Sequence, residues 1–331
     1  MTPEMRQFTR RVFAAVLIIG LAAAVIYSVE ILLLTFAGIL LALLLRASGT
    51  WLRDRTRLST SWAMALVLAG FVALFFGTIL TFGVQIAHQT DQLFLAISQA
   101  YLQFHDKLAQ FHVAGGFAAG GLNLETPARA AAPHIFRIAA SMVLVLFLGV
   151  YLSTSPELYT DLFLSFFGRP LQGRIAGLLD SIAAALRWWL AGQLISMAIV
   201  GGLTITGMLL VGAPMAIPLG VMAALLTFVP FVGSILSAVP AVLLAFTRSP
   251  QMALWVVLIY LVAHVVEGYI VSPMVQQRLV YLPPALILAV QFLMDLFAGT
   301  IGVMFATPLM VVGMVLIKEL YFKQEWTEEA A

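Results

Sequence analysis

Few side chains in this sequence can do chemistry, and those that can sit in apolar surroundings. Glu267 lies inside the apolar run Met252–Val271, one helical turn after His264, so helical spacing puts both on one face. An ionisable group at membrane depth is costly and ordinarily faces a cavity or a partner. A carboxylate beside an imidazole can bind a proton or a cation there and couple its movement to that of a solute. The competing reading makes Glu267 a structural acid that caps backbone N–H groups of a hairpin tip, and His264 a hydrogen-bonded core residue. Asp295 is the third such group, just before Gly299. It is read either as a coupling-ion or substrate ligand, or as an interfacial acid on a tip that reaches water.

Other chemistries are poorly provided for. The chain has no cysteine, so no disulfide, thiolate metal site or thiol nucleophile can form. His88, His105, His112 and His134 lie in a polar stretch without the spacing of a zinc pair, so no metal and no cofactor is expected. No Walker motif, nucleophile elbow or HExxH run occurs, which argues against an enzyme and against ATP coupling within this chain. Nothing points to a nucleic-acid partner.

The elements that would position these groups are two long apolar segments broken near their middles. One covers 217–246 and breaks at Pro230-Phe231-Val232-Gly233-Ser234. Proline lacks a backbone donor and glycine tolerates unusual angles. Carbonyls before Pro230 and the N–H groups of Gly233 and Ser234 are therefore expected to face a ligand. The other covers 283–317 and breaks near Gly299, Thr300 and Gly302. Broken backbone inside a bilayer is tolerated only where protein or a water-filled cavity satisfies it, and a pair of such segments points to a transport site. Pro240 and Pro308 fall at comparable offsets in the second arms, which suggests a degenerate internal repeat, direct or inverted. Gln193 and Gln291 are candidate polar pocket walls, with ordinary interhelical hydrogen bonds as the plainer reading.

Composition supplies the setting. Of 331 residues, 62% are hydrophobic and 10% charged, and the mean hydropathy is +1.05. Soluble domains run near a quarter charged. The expected fold is an all-α polytopic integral membrane protein with about six full spans of ~20 residues plus two broken, re-entrant hairpins. Residues 1–82 are read as a scaffold of three spans: Val12–Ser28 and Ile31–Leu45 as a hairpin turning at Glu30, then Trp62–Phe82. Residues 83–134 carry an apolar stripe from Phe94 to Phe111 and then a Gly-rich linker. The stripe suits a helix lying on the membrane domain, or a contact between subunits of a homo-oligomer. Residues 135–187 hold a fourth span and amphipathic helices, 188–320 the transport half, and 321–331 a tail. Arginines crowd the N-terminus, the 46–57 loop and the 155–187 region, which places both termini in the cytoplasm and 83–134 outside. Charge does not decide whether the broken segments re-enter or cross once. Their short arms favour re-entry.

RWWLAGQL from Arg187, then VGAPMAIPLG, then TFVPFVGSILSAVPAVLLAF, together with HVVEGYIVSPMV and LFAGTIGVMFATPL, resemble the pattern of the autoinducer-2 exporter (AI-2E) family. The resemblance extends along nearly the whole chain. It implies an oligomeric permease of the bacterial inner membrane. Some relatives are associated with autoinducer-2 export and others with sodium/proton antiport. Phe292-Leu293-Met294-Asp295 departs from the small residues usual before the last break. The expected function is therefore secondary transport of a small polar solute, or exchange of a cation for a proton, with the lipid bilayer as partner. A non-transporting membrane scaffold and a passive channel are the alternatives.

Overall fold

The structure, a computed structural model, describes residues 3–56, 58–59, 61–73, 127–271 and 283–319. The stripe Phe94–Phe111, the Gly-rich linker and the 321–331 tail lie outside these residues, as does the second half of the Trp62–Phe82 span. Among the described residues every regular element is helical.

Helix α1 runs unbroken over Pro3–Arg55. The hairpin expected to turn at Glu30 is therefore replaced by one helix. The physical reason is local: Tyr27-Ser28-Val29-Glu30 holds neither glycine nor proline, and glutamate is a good helix former. At 1.5 Å per residue α1 is about 80 Å long. Its Ser28–Arg55 portion has the length and apolarity of one membrane span. An unbroken α1 that crosses once carries the amino terminus to the face opposite Arg53 and Arg55, against the expectation drawn from its arginines.

Helix α2 (Ser61–Ala73) returns against α1, with Ala63 fully buried. Helix α3 (Pro127–Thr154) packs along α1 at close range. A Cβ on Gly38 would stand 2.7 Å from Leu148 Cβ, and one on Gly149 would stand 2.7 Å from Leu41. Small residues that let backbones approach are how helices associate where lipid removes the hydrophobic drive. A sharp elbow, bent by 89°, leads into α4 (Pro156–Ser165). Ser155 stands at the N-cap and proline follows it, but the serine hydroxyl makes no capping bond.

Helix α5 (Arg169–Leu210) is the central beam, 42 residues long. The amphipathic segment from Leu171 and the fifth span are one continuous helix, which ends at Gly212 with φ 66°. Then come α6 (Ala216–Leu226), α7 (Val232–Arg248) and α8 (Pro250–Val266), the last continued by a π-helical turn, Glu267–Val271. Helix α9 (Pro284–Ile317) is two arms divided at Gly299.

Among the described residues, four helical stretches are long and apolar enough to cross a membrane: Ser28–Arg55, α5, Pro250–Val271 and α9. A fifth is reached if α3 and α4 are taken together.

Two cores meet on α5. One joins Val200 and Met208 of α5 to Leu219 and Ala223 of α6, Ala241 and Leu244 of α7, and Val256 and Tyr260 of α8. The other joins Leu186, Trp189 and Leu190 of α5 to Leu40 of α1 and to Ile287, Met310 and Val311 of α9. An edge-to-face contact between Phe36 and Phe305, 6.1 Å between centroids, ties α1 to the second arm of α9. The outward surfaces carry large apolar side chains throughout, the reverse of a water-soluble bundle.

Candidate site at the meeting of two broken helices

The first break is a tight turn of unusual hand. Pro230 O accepts from Val232 N at 2.8 Å, and Phe231 between them has φ 64° and ψ −59°. This is the strained form of the γ-turn. The left-handed residue is thus Phe231. Gly233 has a different task, because a Cβ there would collide with the carbonyl of Leu226 in the last turn of α6. Two of the expected ligand-facing groups are engaged within the protein: Gly233 N donates to Val229 O at 2.9 Å, and Thr227 O accepts from Gln193. The Ser234 hydroxyl donates to Phe231 O at 2.7 Å. The arms α6 and α7, 11 and 17 residues, are about 17 and 26 Å long.

The second break follows the same plan. Gly299 has φ 56° and ψ −149°, a region open almost only to glycine. A Cβ on Gly302 would collide with the carbonyl oxygen of Met294. In a straight helix those residues would stand about 12 Å apart, so the chain doubles back here. Phe231 precedes Pro240 by the same interval that separates Gly299 from Pro308, and each proline lies inside its second arm. Thr300 is exposed beside the second break, and Pro308 is buried in its arm.

Both candidate glutamines reach the first tip. Gln193 Nε2 of α5 donates to Thr227 O at 2.6 Å. Gln291 Nε2, on the first arm of α9, donates to Pro230 O at 3.0 Å. The second hairpin is thus bonded to the strained turn of the first. Gln291 is 2% exposed and its Oε1 has no hydrogen-bond partner. Trp189, one turn before Gln193, stacks edge to face on Phe228 at 5.7 Å and supports the tip from the same side. Asp295 is exposed one helical turn beyond Gln291.

The acid–imidazole pair stands at the end of α8. His264 Nδ1 is 3.0 Å from Glu267 Oε2, and the two side chains are 22% and 21% exposed. With the carboxylate ionised, the proton of that bond sits on Nδ1. His264 Nε2 is buried without a partner and is the ring's second protonation site. Glu267 opens the π-helical turn, a local widening frequent at functional sites. Tyr260, one turn before His264, has its ring 6.3 Å from the imidazole, and its hydroxyl donates to Ser237 O of α7 at 3.2 Å. A line of contacts thus runs from the first hairpin through a hydrogen bond to Ser237, a ring contact between Tyr260 and His264, and the bond to Glu267. Tyr260 and Ser237 had not been singled out in the sequence, although the spacing Tyr260, His264, Glu267 marks one helix face. Thr204 Oγ1 and Thr307 Oγ1 are likewise buried without partners. Among the described residues no cluster of three His, Cys, Asp or Glu side chains forms a metal site.

Broken helices that meet on a central beam, inside a bundle with an apolar outer surface, define a multi-pass helical membrane protein built around paired hairpins. The chain belongs to the AI-2E family: residues 13–322 match the family described as AI-2E family transporter. It is 31% identical over 133 residues to "Putative transport protein YueF" of Bacillus subtilis (strain 168), covering 40% of this chain and 35% of the relative. It is 26% identical over 193 residues to "Putative transport protein YrrI" of the same organism, covering 58% and 53%. A "Putative transport protein" of Borreliella burgdorferi is 24% identical over 187 residues, covering 56% and 52%. The chain thus spans about a third to a half of the length of the curated relatives it matches.

Proposed function

We propose that this chain is a secondary transporter of the bacterial inner membrane, moving a small polar solute of the autoinducer-2 kind or exchanging a cation for a proton. The observation that carries this reading is the bond from Gln291 to Pro230 O, with the same amide's Oε1 buried and unpartnered. A buried polar atom without a partner is unfavourable in a purely structural joint. At the contact of two broken helices it is a ready acceptor for a solute that carries a hydrogen-bond donor. Family membership and the relatives' printed names support transport over enzymatic chemistry.

In this reading the two hairpins re-enter the bilayer and alternately part and close at Pro230–Gln291. The α6–α7–α8 core moves against the core formed by α1, α9 and the middle of α5. Glu267 with His264 is the coupling pair, connected to the moving hairpin through Tyr260 and Ser237. Asp295 is a second ion ligand at the mouth of the second tip. The working unit is a homo-oligomer. Phe231, Phe292, Leu296 and Phe297 are exposed beside irregular backbone, and such backbone at membrane depth must be covered by protein or water. The basic carboxyl end of α1, which replaces the expected 46–57 loop, faces the cytoplasm together with the 155–187 region and the carboxyl terminus.

The test is a sodium gradient imposed on proteoliposomes with a trapped pH dye, comparing wild type with Glu267→Gln. Sodium-driven proton movement that is lost in the variant identifies cation/proton exchange. Silence in a well-folded wild type turns the assay to labelled organic solutes, where saturable counterflow supports the transporter and an ohmic current supports a channel instead.

A further inference from the structure

Helix α4 has its apolar side outward. Leu158, Leu162 and Phe166 recur at helical spacing and are 64%, 58% and 79% exposed, and Tyr159 and Phe163 flank them on the same face. Glu157, Thr160 and Asp161 take the other side of the helix. No residue of α4 is buried. In water this arrangement would be unstable, since about 100° or more of apolar helix surface has to be covered by something.

The elbow says what covers it. The apolar part of α3, 135–153, rises about 28 Å as a helix, close to a ~30 Å hydrocarbon core, and the bend at its end keeps α4 from extending it. Helix α3 ends at Thr154, and α4 leaves at 89° to it. Spanning helices tilt by about 20° on average, so α4 runs nearly in the membrane plane at the level where α3 emerges. Tyr151, exposed in the last turn of α3, marks the interfacial layer. The turn into α5 is fixed by Gln172 Nε2, which donates to Phe167 O at 3.1 Å, and by Leu171 N, which donates to Gly168 O at 2.9 Å. Arg169 and Arg174, both exposed, follow directly and carry positive charge at headgroup level. Aromatic and leucine side chains on one face with arginines at the rim are the pattern of a helix bound to a lipid surface.

We infer that α4 is an in-plane anchor: its Leu158–Leu162–Phe166 face lies in the acyl–headgroup boundary of the leaflet where α3 emerges, and Arg169 and Arg174 hold anionic phospholipid headgroups beside it. The bilayer then fixes the outer end of α5, the beam on which both hairpins rest.

The chain has no cysteine, so single cysteines carry nitroxide labels cleanly. Leu158→Cys, Leu162→Cys, Phe166→Cys and, for contrast, Asp161→Cys are introduced into the full chain in vesicles of phosphatidylcholine and phosphatidylglycerol. Collision with oxygen, which partitions into lipid, should exceed collision with a water-soluble nickel chelate at 158, 162 and 166. The order should reverse at 161, with the apolar-face labels roughly 5–10 Å below the headgroup boundary. Equal nickel access at 161 and 162 would show a solvated helix and overturn the inference. Shielding from both reagents would show protein cover, such as a second copy, and would overturn it equally. Removing phosphatidylglycerol should lower the unfolding midpoint of the unlabelled protein, and should do so much less in the Arg169→Gln/Arg174→Gln variant. An identical response in both would remove the headgroup part of the inference.

Discussion

Gln291 and Pro230 are 61 residues apart in sequence and are joined by a 3.0 Å hydrogen bond that ties the second hairpin to the turn of the first. Gln291→Met keeps the side-chain volume and removes both the donor and the unpartnered Oε1. One net hydrogen bond contributes about 0.5–1.5 kcal/mol, and loss of the orphaned oxygen offsets part of that. The expected outcome is a near-normal unfolding midpoint with transport reduced at least tenfold. Normal flux would show that the junction is only a structural joint.

Glu267→Gln preserves shape and hydrogen-bonding capacity but not the charge. Gradient-driven flux should disappear while expression and assembly stay as in wild type, and solute counterflow without a gradient should persist. Wild-type flux in this variant would remove Glu267 from coupling. Tyr260→Phe, which loses only the bond to Ser237 O, should slow flux by several-fold and leave the ion dependence unchanged.

The second tip depends on two glycines for different reasons. Gly299→Ala places a side chain at φ 56° and ψ −149° and should destabilise by about 1–3 kcal/mol. Gly302→Ala collides with the Met294 carbonyl, an overpacking expected to destabilise by ~1–3 kcal/mol. Gly313→Ala in the same helix meets nothing within 4 Å and serves as the control, neutral or slightly stabilising. Thermal unfolding of the three purified variants checks the ranking.

A continuous α1 that crosses once places the amino terminus and Ser59 on opposite sides of the membrane. Single cysteines at Thr2 and Ser59, probed with an impermeant maleimide in right-side-out and inverted vesicles, should then label from opposite faces. Labelling from one face would restore the hairpin at Glu30.

Re-entry of both hairpins predicts opposite sides for Arg248→Cys and Arg278→Cys, with position 278 labelled from the cytoplasm. If each broken segment crosses once, the two positions exchange faces.

Local chemistry made much of this protein legible without coordinates. The apolar runs declare a membrane protein because ~20 residues are needed to cross the hydrocarbon, whatever packs beside them. The breaks at Pro230–Gly233 and near Gly299 were readable because glycine and proline change backbone energetics at their own positions. The pairing of His264 with Glu267 followed from spacing on one helix. The same locality explains the failure at Glu30: an acid in an apolar run suggested a turn, but nothing there weakens the helix. Which residue adopts the left-handed angle could not be read, since Gly233 was the obvious candidate and Phe231 has it. The partners of Gln193 and Gln291 were decided only in three dimensions, by how α5 and α9 pack around the first tip. A glutamine's own sequence context does not say which carbonyl it meets, because that bond forms between segments brought together by the packing of the whole bundle.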